Sequence, residues 1–239
     1  MNISSHVTEL YENGFTVLPA YFDAEDCQRM RDILADYWKS QGSPPLEENA
    51  YGLGIHPMLP SVPAMAPFLD APAAIEVLGE ALRDEPRLMH VGARISGPQS
   101  AQRIGWHDHY SWDAQNLPKR DRLERILLAI YVDGSTPESG SLVALPRRFN
   151  DPSGKPPAAG AHPDEVKVNA PPGSIVIFDT ALWHDAERGT GSGLRRLWGT
   201  HFQGWSDDRA HPEDNEVDPP QIAEAKNQSP RLKAMIEGS

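Results

Sequence analysis

From Arg87 onward the chain is cut into short apolar runs, RLMHVGARI, RILLAIYV, GSLVALP, EVKVNA, SIVIFD and RRLWGTHFQGW, separated by clusters of Gly, Pro, Asn and Asp. Runs of this length, rich in branched and aromatic side chains, suit a pleated surface. The breaks carry turn chemistry: Gly supplies positive φ in DGSTPESGS, and Pro fixes φ in APPGS. Strand follows strand with no helical pattern between them. That excludes βαβ units and predicts a β-sandwich or barrel.

The segment before this core reads as strand then helix. GFTVLPAYF (Gly14 to Phe22) has strand composition, and Asp23 is placed to cap a helix carrying Glu25 and Asp26 in its first turn. Cys27, Met30, Leu34 and Tyr37 recur at helical spacing, and Gly42, Pro44 and Pro45 end the run. A second helix is expected around Ala71 to Leu82. The expected organisation is a single domain over 1–239: a helical part about 23–85, a β core about 87–205 and a polar tail 206–239. Phe149 to Glu165 is a long Pro- and Gly-rich excursion, expected to cover or border something.

Composition narrows the function classes. A length of 239 residues with 39% hydrophobic content suits one substantial core. A net charge of −12 with no basic stripe argues against a nucleic-acid partner. No apolar run approaches the roughly 18 residues of a membrane span, and the first residues carry no signal-peptide pattern. The single cysteine, Cys27, fits a reducing compartment, so the expected location is cytoplasmic. The expected partner is a small-molecule substrate, with the oligomeric state left open.

Chemistry concentrates in GWHDHYSWD, Gly105 to Asp113. In extended backbone His107 and His109 project from one face and Asp108 from the other. Two imidazoles on one face are half of a transition-metal site. His184 lies where the apolar strand SIVIFD gives way to a polar loop, the kind of place where ligands meet in a closed β structure. Two adjacent ligands and one remote ligand suit a metal held inside a jelly roll. His56 and His90 read as core or wall residues, with Tyr51 beside His56 as a lid or wall candidate.

These blocks resemble the phytanoyl-CoA dioxygenase family of Fe(II)- and 2-oxoglutarate-dependent oxygenases, from about Gly14 to Phe202. GFTVLPAYFDAEDCQRMRDIL is similar to the family's opening strand and helix, and LLAIYVDGSTPESGSLVALPRRF to its central hairpin. APPGSIVIFDTALWH resembles the strand leading to the second metal histidine, and RRLWGTHF the closing strand. The resemblance implies a mainly β fold, a double-stranded β-helix (jelly roll, cupin-like) with flanking N-terminal α-helices. It implies Fe(II) as metal, 2-oxoglutarate as co-substrate and O2 as oxidant. By position, His107 becomes the first ligand, His184 the distal ligand and Arg195 the anchor of the 2-oxoglutarate C5 carboxylate, a pairing suited to a planar guanidinium. Arg94 is a second candidate for the co-substrate. Arg196 should face the other side of the strand. Tyr110, Trp112 and Asp179 are candidates to face the substrate.

The pattern breaks at one position. The family motif is His-x-Asp, whereas this chain has His107-Asp108-His109. Either His109 coordinates, or Asp108 does so through a local bulge, or only His107 and His184 bind. Asp108, Asp113 and Asp185 are candidates to hold the ligand rings from behind. A small polar residue is also expected two positions beyond the arginine, where this chain has Leu197. The expected function is oxidation of a small organic molecule, by hydroxylation or a related two-electron step, with release of succinate and CO2. The alternatives are a three-histidine metalloenzyme without 2-oxoglutarate (O2-dependent cleavage or Zn hydrolysis) and a degenerate, non-catalytic binding domain.

Overall fold

The chain enters through α1 (Ile3–Asn13), which Asn2 starts by accepting from the Ser5 N–H and Gly14 stops in the left-handed region at φ 81. Strand β1 (Phe15–Leu18) follows, then α2 (Ala24–Ser40), whose Asp23 cap accepts from the Asp26 N–H at 2.9 Å and whose inner face buries Cys27, Met30 and Leu34. Next come β2 (Leu53–Ile55), the short α3 (Met58–Ser61), a 3₁₀ stretch over Pro63–Leu69, and α4 (Pro72–Leu82). The β core holds β3 (Pro86–Ser96), β4 (Arg125–Tyr131), β5 (Leu142–Ala144), β6 (Val166–Val168), β7 (Ser174–Asp179), β8 (His184–Ala186) and β9 (Arg195–Gly204). A final helix, α5, spans Pro230–Glu237. The computed structural model describes residues 1–46, 52–97, 103–109, 120–151, 155–208 and 229–238.

The strands form two antiparallel sheets, a large one in the order β1-β7-β4-β9-β3-β2 and a small one in the order β6-β5-β8. Strand β4 is buried at every position because both faces of the large sheet are covered. Ile126, Leu128 and Ile130 pack outward with Ile175, Ile177, Trp198 and the helices' Leu10, Met30, Leu34 and Leu78. Leu127, Ala129 and Tyr131 face the other way, toward Leu142 of the small sheet, with Phe178. Two sheets lie on either side of one cavity, the layout of a double-stranded β-helix with helices on its outer face.

Register decides what reaches that cavity. His90, Gly92 and Arg94 of β3 lie opposite His201, Gly199 and Leu197 of β9, and these in turn lie beside Leu127, Ala129 and Tyr131 of β4. All nine line a cavity of about 280 Å³ between the sheets.

Three elements depart from the sequence expectation. The helical part begins at Ile3, where α1 is held by its caps and by an apolar face of Ile3, Val7, Leu10 and Tyr11 packed on the core. Strand β2 lies inside the helical part and pairs with β3. The tail ends in α5, which buries Leu232 and Met235 in the core. Among the described residues no helix is long and apolar enough to cross a membrane.

Candidate metal centre

Strand β7 ends in a tight turn that aims His184. The Asp179 carboxylate accepts from the Ala181 N–H at 3.0 Å, its carbonyl accepts from the Leu182 N–H at 2.9 Å, and Arg147 lies 3.6 Å from the carboxylate. The segment carrying His107 is stitched across this turn. His107 and His184 exchange both backbone hydrogen bonds, each at 3.0 Å, and the His109 N–H reaches the Thr180 carbonyl at 2.9 Å. The ring centroids lie 4.2 Å apart for His107 and His184, 5.0 Å for His109 and His184, and 5.3 Å for His107 and His109. One nitrogen from each ring lies within 4.8 Å of the others, and among the described residues this is the group able to hold a metal ion.

Two of the rings are fixed in the tautomer a metal requires. A carbonyl only accepts, so His107 donates through Nδ1 to the Gly105 carbonyl at 2.8 Å, and His184 through Nδ1 to the Leu182 carbonyl at 2.9 Å. Each leaves Nε2 with a lone pair. Burial pushes the pKa of His107 down, and those of His109 and His184 well down; neighbouring imidazoles add to the depression for the last two. The cluster therefore stays neutral and able to ligate.

Ion pairs brace the site from behind. Arg103 meets both oxygens of Glu165 at 2.8 and 3.1 Å, Glu187 at 3.0 Å and the buried Asp185 at 3.4 Å. The other Asp185 oxygen takes the Gly105 N–H at 2.8 Å. This corrects one expectation: Asp185 holds the backbone of the loop, while backbone carbonyls take the imidazole N–H groups. The Phe149–Glu165 excursion borders the same loop, with the Trp106 indole donating to the Gly160 carbonyl at 2.8 Å.

Arg195 is buried in the cavity wall, and its Nε has no hydrogen-bond partner. Its guanidinium carbon lies 5.5 Å from the Tyr131 ring centroid, and burial lowers its pKa. Arg196 faces away and pairs with Asp133 at 2.8 Å, as strand alternation requires. Arg94 shares the cavity and depresses the imidazole pKa values from nearby.

The structure brings His107, His109, His184, Arg195 and Arg94 around one cavity. It does not bring Asp108 into the ligand group, which the two flanking histidines join instead. Asp179, read from sequence as able either to face the substrate or to take a turn or cap role, caps the turn and pairs with Arg147, because its neighbour Phe178 takes the cavity side of β7. Tyr51, Tyr110, Trp112 and Asp113 lie outside the described residues. Tyr131, His201 and Arg103 were not singled out from sequence. Alternation from Arg195 along β9 would have placed His201 on the cavity face.

The phytanoyl-CoA dioxygenase (PhyH) family model matches residues 10–197. No curated protein matches the chain. Among solved structures, HygX from Streptomyces hygroscopicus with nickel and 2-oxoglutarate bound is similar at 16% identity and a TM-score of 0.65, over 84% of this chain and 87% of that one. SnoN, the non-haem α-ketoglutarate-dependent epimerase from nogalamycin biosynthesis, is similar at 13% identity and a TM-score of 0.63, over 84% and 82%. SnoK, the carbocyclase of that biosynthesis, gives 15% and 0.64, over 84% and 83%. At these identities the likeness establishes the fold. The family match spans most of the chain and includes His107, His109, His184 and Arg195. The chain therefore belongs to the phytanoyl-CoA dioxygenase family, a family of iron- and 2-oxoglutarate-dependent oxygenases.

Proposed function

We propose that His107, His109 and His184 hold Fe(II), that Arg195 anchors 2-oxoglutarate, and that the enzyme oxidises a small organic molecule, by hydroxylation or a related two-electron step. One observation carries this reading: a neutral three-imidazole cluster shares its cavity with a buried guanidinium whose Nε lacks a partner. Leaving a buried polar group unmatched costs about 1–3 kcal/mol, more when it is charged. A bidentate carboxylate removes that cost. The ligation of nickel and 2-oxoglutarate by HygX supports the assignment.

When bound, iron and 2-oxoglutarate supply an oxidant from O2, with succinate and CO2 released. The protein's own residues do the rest. The Gly105 and Leu182 carbonyls fix the ring orientation, and the Arg103 cluster fixes the loop. The apolar side chains Leu127, Ala129, Leu142 and Phe178 exclude water around the reacting atoms. A cytoplasmic setting fits the single cysteine, which is buried and free.

The test is anaerobic addition of Fe(II) and 2-oxoglutarate, followed by O2. A visible charge-transfer band and then succinate are the expected results. Metal uptake with no response to 2-oxoglutarate would instead favour a metal-only enzyme, which has no use for Arg195.

A further inference from the structure

Arg195 and Tyr131 meet in the cavity wall from neighbouring strands. Register sets Tyr131 of β4 opposite Leu197 of β9. The next cavity-facing residue after Arg195 is therefore the cross-strand neighbour of the tyrosine. The Arg195 guanidinium carbon lies 5.5 Å from the Tyr131 ring centroid. Behind the arginine, a Cβ at Gly140 would sit 3.3 Å from Arg195 Cδ and 2.8 Å from the Glu187 carbonyl oxygen, so glycine leaves room for the arginine stem.

Both side chains are buried with polar atoms unmatched. Tyr131 is 3% exposed and Arg195 8%. Among the described residues the Tyr131 hydroxyl makes no hydrogen bond, and neither does the Arg195 Nε. Burial raises the tyrosine pKa, so the hydroxyl keeps its proton and stays a donor. A buried phenol ordinarily finds a partner. Leu197, Leu142 and Ala129, which line the cavity with it, offer none.

Donor counting shows what the pair can hold. A carboxylate only accepts, through about four lone-pair sites on its two oxygens. A guanidinium fork fills one site on each oxygen. The remaining sites need a donor once the cavity is closed to water. Leu197, beside Arg195 on the same face of β9, cannot donate. The hydroxyl of its cross-strand neighbour can.

We infer that Tyr131 is a second anchor of the co-substrate: its hydroxyl donates to the distal carboxylate of 2-oxoglutarate that Arg195 holds. The inference rests on the oxygenase reading above, which places that diacid in the cavity, and deepens it by assigning the neutral donor of the carboxylate subsite. The same pair sets selectivity among keto acids. A diacid satisfies the hydroxyl and the guanidinium together, whereas a keto acid ending in a methyl group leaves both unmatched.

The experiment titrates nickel-loaded protein by calorimetry with 2-oxoglutarate and with 2-oxopentanoate, which has a methyl group in place of the distal carboxylate. Tyr131→Phe removes the hydroxyl and keeps the ring, so the contact with Arg195 stays and Arg94, which also bears on Tyr131, is untouched. It should weaken 2-oxoglutarate binding about tenfold, as expected for a hydrogen bond to a charged group. Nickel should bind as in wild type, which also confirms the fold, and 2-oxopentanoate should bind at least as tightly as before. Leu197→Ser added to Tyr131→Phe returns a hydroxyl from the adjacent strand position and should recover part of the loss for 2-oxoglutarate alone. Equal 2-oxoglutarate affinity in wild type and Tyr131→Phe would overturn the assignment and leave the oxygenase reading standing. A loss shared equally by the two keto acids would also overturn it, by tracing the effect to cavity shape. If nickel-loaded wild type takes no 2-oxoglutarate, the oxygenase reading itself falls and the assignment falls with it.

Discussion

His107 and His184 are paired through their backbones, N–H to carbonyl at 3.0 Å in both directions, so two residues far apart in sequence carry their rings on one rigid bridge. The bridge does not depend on the side chains, so a ring can be removed without unstitching the loop. His184→Ala should reduce bound metal below a tenth of wild type while leaving the far-ultraviolet circular dichroism unchanged. His109→Ala should do the same and Asp108→Ala should not, because only His109 joins the nitrogen cluster. Metal analysis of the three purified variants decides the ligand set; retention of metal by His109→Ala with loss in Asp108→Ala would reverse it.

Arg195 sets stability against affinity. The buried guanidinium has an unmatched Nε in the co-substrate-free protein. Arg195→Met should weaken 2-oxoglutarate binding about 10- to 100-fold, the value of a charge-assisted pair of about 1.5–3 kcal/mol. Nickel affinity should stay within a few-fold. The same variant should melt at or above the wild-type temperature without 2-oxoglutarate and lose the stabilisation that the co-substrate confers. Calorimetry and thermal melts with and without 2-oxoglutarate check both halves.

Arg103 acts at a distance from the ion. Its removal leaves Glu165, Glu187 and the buried Asp185 facing one another, with Lys167 still 2.7 Å from Glu187. The loop that carries His107 then loses its brace. Arg103→Ala should weaken nickel binding about tenfold, in the range seen when groups supporting metal ligands are lost. Arg103→Lys should recover only part of this, because an ammonium cannot span both Glu165 oxygens. A nickel titration gives the answer, and equal affinities in wild type and Arg103→Ala would show that the cluster is ornamental to the site.

Much of this arrangement was legible before the structure. Val, Ile and Leu in RILLAIYV and SIVIFD mark β4 and β7, and the Asp23 cap marks α2. Helix α1 was passed over because ISSHVTELYEN contains Ser, Thr and Val, weaker helix formers, although Ile3, Val7, Leu10 and Tyr11 recur at helical spacing and pack on the core. Strands β2 and β8 are three residues long, too short for a period to register. The metal histidines could be found by spacing and resemblance. His201 was passed over, because its neighbours Trp198 and Phe202 give the strand the look of plain core, although counting in twos from Arg195 puts it on the cavity face.

The depressed imidazole pKa values give metal-free stability a direction with pH. His109 and His184 ionise well below the ordinary 6.5 in the folded chain, and His107 also ionises below it. In the unfolded chain these rings take protons near 6.5. Below that value the unfolded state binds more protons than the folded one, so stability falls as pH falls and is fully recovered above it. The slope is at most about 1.4 kcal/mol per pH unit for each ring. Urea melts of metal-free protein between roughly pH 7.5 and 5 should show the decline, and His184→Gln should flatten it. An unchanged midpoint across that range would count against the neutral cluster.

The large sheet also divides labour along each strand. Leu127, Ala129, Tyr131, Leu197 and Gly199 look into the cavity, while Ile126, Leu128, Ile130 and Trp198 look toward the helices. Neighbouring codons thus answer to different selective pressures, one set to what the enzyme accepts and the other to whether it folds. New substrate preferences can arise by changing alternate positions on β4 and β9 without disturbing the packing that the remaining positions maintain.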